Sequence, residues 1–285
     1  MQPFDSIDRL ERAKALDPAV KVVSSLVHKV IQPQGLRDLL HGVWLGHPLH
    51  PVLVQVPVGA FVSASMLDLV PFTGPATTLL ITTGLVSSVP AAAAGLTDWS
   101  ELNPAEKRTG LVHSGANTVG LLLYGASLLA RARRRKARGK ALALAGLGAV
   151  AAGGVLGGHL SYRRAAGANH TADIPDVGPT DWTAVGALDE LPDGALAGRQ
   201  LGQVPVVLLR RGSLVQALVA RCSHLSGPLE EGELTGGTDP CVVCPWHGSE
   251  FRFADGSVVH GPAVAPQPVL QTRVTNGQVE VRLPG

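Results

Sequence analysis

The sequence predicts a multi-domain protein: an N-terminal all-α four-helix transmembrane bundle followed by a C-terminal all-β antiparallel sandwich or barrel. Three observations lead there. Four long apolar runs, nearly free of charge, lie between residues 51 and 161. Short strand-like runs separated by glycine turns fill residues 182–283. Charge divides at the same place: residues 1–170 hold 17 Lys+Arg against 9 Asp+Glu, net +8, whereas residues 171–285 hold 7 against 13, net −6, and no lysine. Only 16% of the residues are charged, against about 25% in an ordinary soluble chain. The boundaries read from this pattern are 1–45 for amphipathic helices, 46–163 for the apolar helices, 164–179 for a linker and 180–285 for the β domain.

In chain order, residues 6–40 place Leu10, Ala13, Leu16, Val20 and Val23 at helical spacing among charges, which predicts one or two amphipathic helices. They either lie on a membrane surface or pack on their own domain. No cleavable signal peptide is visible, because these residues contain no apolar core. The apolar runs are Pro51–Leu69, uncharged before Asp68, then Ala76–Leu96, Leu111–Ala130 and Ala141–Ser161. Each approaches the roughly 20 residues that cross a hydrocarbon core. Their Gly, Ala, Ser and Thr content lets helices approach closely in lipid. Four such runs in succession argue against a buried bundle in a soluble protein.

Gly167, Asn169, Pro175, Gly178 and Pro179 break the polar stretch that begins at Arg163. Beyond Trp182, the runs Val204–Leu209, Leu214–Arg221, Cys241–Cys244, Phe251–Phe253, Ser257–Val259, Val269–Val274 and Gln278–Leu283 read as strands. The turns Arg211-Gly212, Gly236-Gly237, Asp255-Gly256 and Asn276-Gly277 divide them, a pattern of antiparallel β.

The three cysteines are too few and odd in number for a disulfide framework, which leaves metal binding. Cys222-Ser-His224 and Cys244-Pro-Trp-His247 each set a soft thiolate beside an imidazole, with 19 residues between His224 and Cys244. Two thiolates and two imidazoles suit zinc as well as an iron–sulfur centre. The flanks discriminate: Cys-Ser-His-Leu-Ser-Gly-Pro-Leu, Cys-Pro-Trp-His-Gly-Ser-Glu-Phe, Asp255-Gly256 and His260-Gly261-Pro262-Ala263. Over roughly residues 180–284 the chain resembles the Rieske family. The resemblance implies a 2Fe–2S cluster with Cys222 and Cys244 on one iron and His224 and His247 on the other. Replacing two thiolates by neutral imidazoles removes negative charge and raises the reduction potential above that of all-cysteine clusters.

The resemblance also bears on tuning. Ser249 stands where high-potential members place a serine that donates to a cluster sulfur. Phe251 stands where they carry a donating tyrosine. The extra cysteine pair that braces their two loops is replaced by Ser226 or Gly227 and by Trp246. Fewer donors to sulfur predict a potential in the lower half of the Rieske range. Cys241 is expected to be a small core residue rather than a redox sensor, and His260 a surface residue near the cluster loops. No two-histidine, one-carboxylate iron site is evident, so an oxidoreductase-type electron carrier is expected rather than a complete oxygenase.

The apolar half opens on Gly46-His47-Pro48-Leu49-His50-Pro51 and resembles a family of four-helix membrane domains with a His-Pro-Leu-His-Pro motif. That resemblance supplies topology and no activity. Alternating spans bring His47, His50, Asp98, His113 and His159 to one membrane face, the one that carries the β domain. Polar groups there usually point inward, and the five are expected to form a site for haem b, a metal ion or a quinone. The plain alternative is that they cap helix ends. Arg131, Arg133, Arg134, Arg135, Lys136, Arg138 and Lys140 favour the cytoplasm for the opposite face, which puts the β domain outside a multi-pass plasma-membrane protein. The opposing cations, Lys29, Arg37, Lys107, Arg108, Arg163 and Arg164, and the missing loop disulfide pull the other way.

The expected function is one-electron transfer between a quinone or haem in the membrane domain and an external acceptor. The alternatives are an anchored ferredoxin supplying an oxygenase, and a membrane redox sensor. Expected partners are the lipid bilayer, a quinone and a redox protein whose basic face meets the acidic half. Nucleic acid is not expected.

Overall fold

The computed structural model describes residues 5–284. The chain divides into two compact units, residues 1–32 with 49–166, and residues 33–48 with 167–285.

The first unit is helical. It begins with helices α1 (Asp5–Arg12) and α2 (Asp17–Val30). The apolar runs form α4 (Leu49–Leu53), α5 (Gln55–Leu67), α6 (Gly74–Ser100), α7 (Pro104–Ala132) and α8 (Lys136–Gly158), the last continued by a π-helical turn at His159–Arg163. Among the described residues three stretches are long and apolar enough to cross a membrane, Leu49–Leu67, Gly74–Ser100 and Lys136–Arg163. The four-helix transmembrane bundle therefore holds only in this coarser form. Helix α7 has the length, 29 residues, but His113, Ser114, Asn117 and Thr118 dilute its hydropathy.

Two helical hairpins, α4/α5 with α6 and α7 with α8, make this unit. Around buried Phe61, Ile81 and Tyr124 their interior is small or polar, with Ala64, Thr77, Gly84, Ser88, Ser127 and Ala143 buried, whereas Val62, Met66, Leu79, Val86, Leu122 and Leu144 face outward. Phe61 and Tyr124 stack at 3.9 Å, 8° from parallel. Arg131 takes Asp68 in a two-pronged ion pair, with Nη1 2.9 Å from Oδ1. A Cβ on Gly84 would meet the Phe61 ring at 2.4 Å. Gly84→Ala is expected to cost about 1–3 kcal/mol through overpacking, read as a lower melting midpoint of the helical signal in detergent.

The amphipathic N-terminal helices pack on their own unit. Arg108 of α7 donates to Asp17 at 2.6 Å and to the Glu11 carbonyl at 2.7 Å, and His28 meets Glu101 at 3.2 Å.

The second unit is antiparallel β. It comprises β1 (Thr183–Ala187), β2 (Leu196–Leu201), β3 (Val204–Arg211), β4 (Leu214–Val219), β5 (Glu233–Thr235), β6 (Cys241–Val243), β7 (Glu250–Arg252), β8 (Val258–His260), β9 (Val269–Thr275) and β10 (Gln278–Arg282). Six strands run in the order β1-β10-β9-β4-β3-β2 and four in the order β5-β6-β7-β8. Alternation along β3 splits its side chains: Val204, Val206 and Leu208 enter the core of the larger sheet. Val207 and Leu209 meet Val242, Phe251 and Phe253 of the smaller one.

Two stretches fall differently from the sequence boundaries. Residues 164–179 do not form an open linker beyond residue 166: Ile174 is buried, the Arg221 guanidinium pairs with Asp173, and the Leu283 N–H donates to the Pro179 carbonyl at 3.0 Å. Residues 33–48, divided by sequence between the N-terminal helices (to 45) and the apolar helices (from 46), belong to the β unit through α3 (Gln34–His41). The Asp38 carboxylate accepts from His260 Nδ1 at 2.8 Å and from the Gly261 N–H at 2.9 Å.

Candidate metal centre

The two Cys/His motifs fold as turns that follow strands. The first, after β4, closes with the Ser226 N–H on the Cys222 carbonyl and the Cys222 N–H on the Gly227 carbonyl, both at 2.9 Å. The second joins β6 to β7. There the Cys244 N–H donates to the Ser249 carbonyl at 2.8 Å and the Gly248 N–H to the Cys244 carbonyl at 3.0 Å. Such turns aim successive N–H groups at the sulfur within them. The His224 and Leu225 amides point at Cys222, and the Trp246 and His247 amides at Cys244.

The loops meet side chain to side chain. The Cys222 and Cys244 sulfurs are in hydrogen-bond contact, and the His224 and His247 rings stand edge to face at 5.1 Å. Gly227 allows this approach, since a Cβ there would lie 2.7 Å from Cys244 Sγ and 3.2 Å from the Trp246 ring. Contact with Cys244 raises the Cys222 pKa, with burial adding to the rise. The Cys222 contact and the loop amides lower that of Cys244. Burial pushes the His224 imidazole pKa down to about 3, with His247, His41 and His170 nearby as further causes, so its ring is neutral and keeps a lone pair. His224 Nδ1 is buried without a hydrogen-bond partner. Two converging sulfurs, two imidazoles and one ring nitrogen without a partner among the described residues fit the donor set of a Rieske-type cluster.

Supporting contacts lie behind the loops. The Ser249 hydroxyl, fully buried, accepts the Ala263 N–H at 2.9 Å, leaving its own hydrogen to donate. Phe251 is fully buried in the core between the sheets, and Trp246 is 54% exposed. Cys241 lies on β6, buried, with its thiol toward the Asp239 carbonyl.

Four contributors escaped the sequence reading. Gln267, 1% exposed, accepts the Ser223 N–H and donates to the Val219 and Arg221 carbonyls, bracing the first loop. The His170 N–H donates to the Ser223 carbonyl at 2.9 Å. Asp38 holds the His260–Gly261 turn, and His41 of α3 is buried against Gly261. No local pattern marks Asp38, whose partner lies 222 residues away. His260 is therefore a held residue and not a bare surface one.

The five polar residues at the ends of the apolar runs do not all converge. His50 and His113 approach edge to face with ring centroids 6.5 Å apart. His159 turns instead to Glu11, 2.8 Å away, in a cluster that Arg163 and Arg164 neutralise with Asp8. Asp98 is half-buried near the end of α6, and His47 is exposed in the β unit, its Nδ1 3.4 Å from the Pro48 carbonyl.

Comparison with known proteins agrees with this geometry. Residues 181–274 match the Rieske 2Fe-2S domain family, and residues 46–170 match a family described as predicted membrane protein, DUF2231. The anthranilate 1,2-dioxygenase ferredoxin subunit of Burkholderia cepacia is 34% identical over 36% of this chain and 93% of its own length. The cytochrome b6-f complex iron-sulfur subunit of Chlorobaculum tepidum is 25% identical over 35% of this chain, which spans about half (52%) of that subunit. The ferredoxin of carbazole 1,9a-dioxygenase from Nocardioides aromaticivorans aligns with 24% identity over 36% of this chain and 98% of its own, with a TM-score of 0.34. This chain belongs to the Rieske 2Fe-2S family through its C-terminal unit, and its residues 46–170 match the predicted membrane protein family.

Proposed function

We propose that the protein is a membrane-anchored one-electron carrier in which Cys222 and Cys244 hold one iron and His224 and His247 the other. The observation that carries this reading is the meeting of two sulfurs and two imidazoles from separate loops, with His224 Nδ1 buried and without a partner among the described residues. When bound, a 2Fe–2S cluster accepts and gives up single electrons. The residues around it set the energy of that exchange. Two backbone amides on each sulfur spread its negative charge, and Ser249 has a hydrogen to add. Phe251 contributes packing and no donor. Half-exposed Trp246 and His247 leave one edge of the site open to a partner.

The membrane reading rests on the outward apolar side chains of α5 to α8 and on the three apolar stretches. It places four crossings in a plasma membrane, with α7 as the fourth and the cation-rich α7–α8 turn in the cytoplasm, so the Rieske unit lies outside. A quinone or haem in the helices would then exchange electrons with the cluster. The ferredoxin relative that this chain covers almost throughout supports a second reading, delivery of electrons to an oxygenase.

Purified in detergent, the chain is expected to carry about two irons and the rhombic electron paramagnetic resonance signal of a mixed Cys/His cluster once reduced. A redox titration should place its midpoint in the lower half of the Rieske range, because Phe251 lacks a hydroxyl. A zinc-only, colourless protein would refute the assignment, and a midpoint several hundred millivolts positive would refute the tuning argument.

A further inference from the structure

The helical unit is built twice. His50 and His113 meet edge to face, Phe61 and Tyr124 stack, and Asp68 and Arg131 form the buried ion pair. In all three pairs the partners are 63 residues apart. The second helix of each hairpin repeats as well, with an offset of 62 residues. His50 Nδ1 lies 2.8 Å from the Ala91 carbonyl, and His113 Nδ1 2.7 Å from the Gly153 carbonyl. Four residues beyond each acceptor a glycine packs on the ring: a Cβ on Gly95 would lie 2.7 Å from His50, and one on Gly157 3.1 Å from His113. Equal offsets and self-pairing positions are what two copies of one hairpin give when related by an approximate two-fold axis between them. At the two other axis positions the copies differ, Phe against Tyr and Asp against Arg; at this one both carry histidine.

We propose that His50 and His113 are the paired ligands of one metal centre on that axis. A carbonyl accepts only, so each Nδ1 carries the hydrogen and each Nε2 keeps its lone pair. This is the second-sphere arrangement that fixes histidine as a metal ligand through Nε2. His113 Nε2 has one neighbour, the Asn117 amide at 3.3 Å, whose shorter bond is to the His113 carbonyl at 3.0 Å, so a metal displaces only the longer contact. A metal atom bound by both Nε2 atoms would set the ring centroids about 6 Å apart, from bonds of about 2 Å, close to the 6.5 Å found. Late first-row ions prefer neutral imidazole, and two such ligands serve a copper(I) ion or the iron of a haem. This centre stands apart from the Rieske site and does not depend on its assignment.

The test uses the full chain in detergent with its iron–sulfur signal recorded in every sample. Copper(I), under competition by a chromophoric chelator, and haemin are titrated separately. One of the two is expected to bind at one per chain. His50→Gln and His113→Gln should each weaken that binding at least about a hundredfold, while Asn117→Ala keeps it. The Rieske signal and the thermal midpoint of the helices report whether each variant is folded. The proposal is overturned if neither probe binds the wild-type chain or Asn117→Ala, or if a folded His50→Gln/His113→Gln double variant binds as the wild type does. Loss of the Rieske signal alone would leave this outcome unchanged and bear only on the electron-carrier reading.

Discussion

Cys222→Ala is expected to abolish the cluster, taking iron from about two per chain to essentially none and removing the reduced-state resonance. Cys241→Ala is expected to leave both in place. Burial does not distinguish these cysteines, since Cys222, Cys241 and Cys244 are all enclosed. Placement does. Cys222 and Cys244 sit on turns whose amides aim at their sulfurs and whose side chains touch. Cys241 sits in the β6 ladder opposite Thr235 and Arg252, with its thiol toward a carbonyl. Iron analysis and the resonance spectrum of the two variants check the contrast, and iron retained in Cys222→Ala would remove the assignment.

The second large effect is expected at Gln267, far from any motif. Its amide satisfies one buried N–H and two carbonyls at once. Gln267→Leu fills much the same space and strands all three. Each stranded buried group costs about 1–3 kcal/mol, part of it recovered by relaxation, so a net loss of about 3 kcal/mol is expected. That lowers the melting midpoint of the β unit by about 10 °C. Because the stranded groups belong to the Cys222 loop, the iron–sulfur colour should bleach earlier in the same melt than in wild type. Gln267→Glu, which keeps the acceptor but loses the donor, should fall between the two.

How much of this was legible in the chain depends on the range of the forces involved. Gln278–Arg282 was readable because burial on one face imposes a period of two, and Val204–Arg211 because its continuous apolar run marks a strand buried on both faces. Strand β2 was not. Its Leu-Ala-Gly-Arg-Gln-Leu pattern mixes a glycine and a cation into a strand that only its pairing with β3 holds. The three-residue β5 and the glycine-bearing β1 were hidden for the same reason. The Cys/His loops were readable because their chemistry is local to each turn. Asp38, His170 and Gln267 were not, since a carboxylate or amide joined to a distant backbone leaves no periodic trace. The duplicated hairpin also escaped, because its likeness lies in which residues meet across the axis and not in a run of matching letters.

The Asp38 tie has a further consequence, which is one of parity. It fastens residues ahead of Leu49 to residues beyond Ala166 within a single folded unit. Both stretches must therefore lie on one side of any membrane that residues 49–166 cross. Any passage of residues 49–166 through a bilayer must then return to the side it left, which an odd number of crossings forbids. Three stretches are apolar enough by themselves. If all three cross, a fourth must join them, and α7 is the remaining long helix, with its histidine and asparagine turned toward its neighbours.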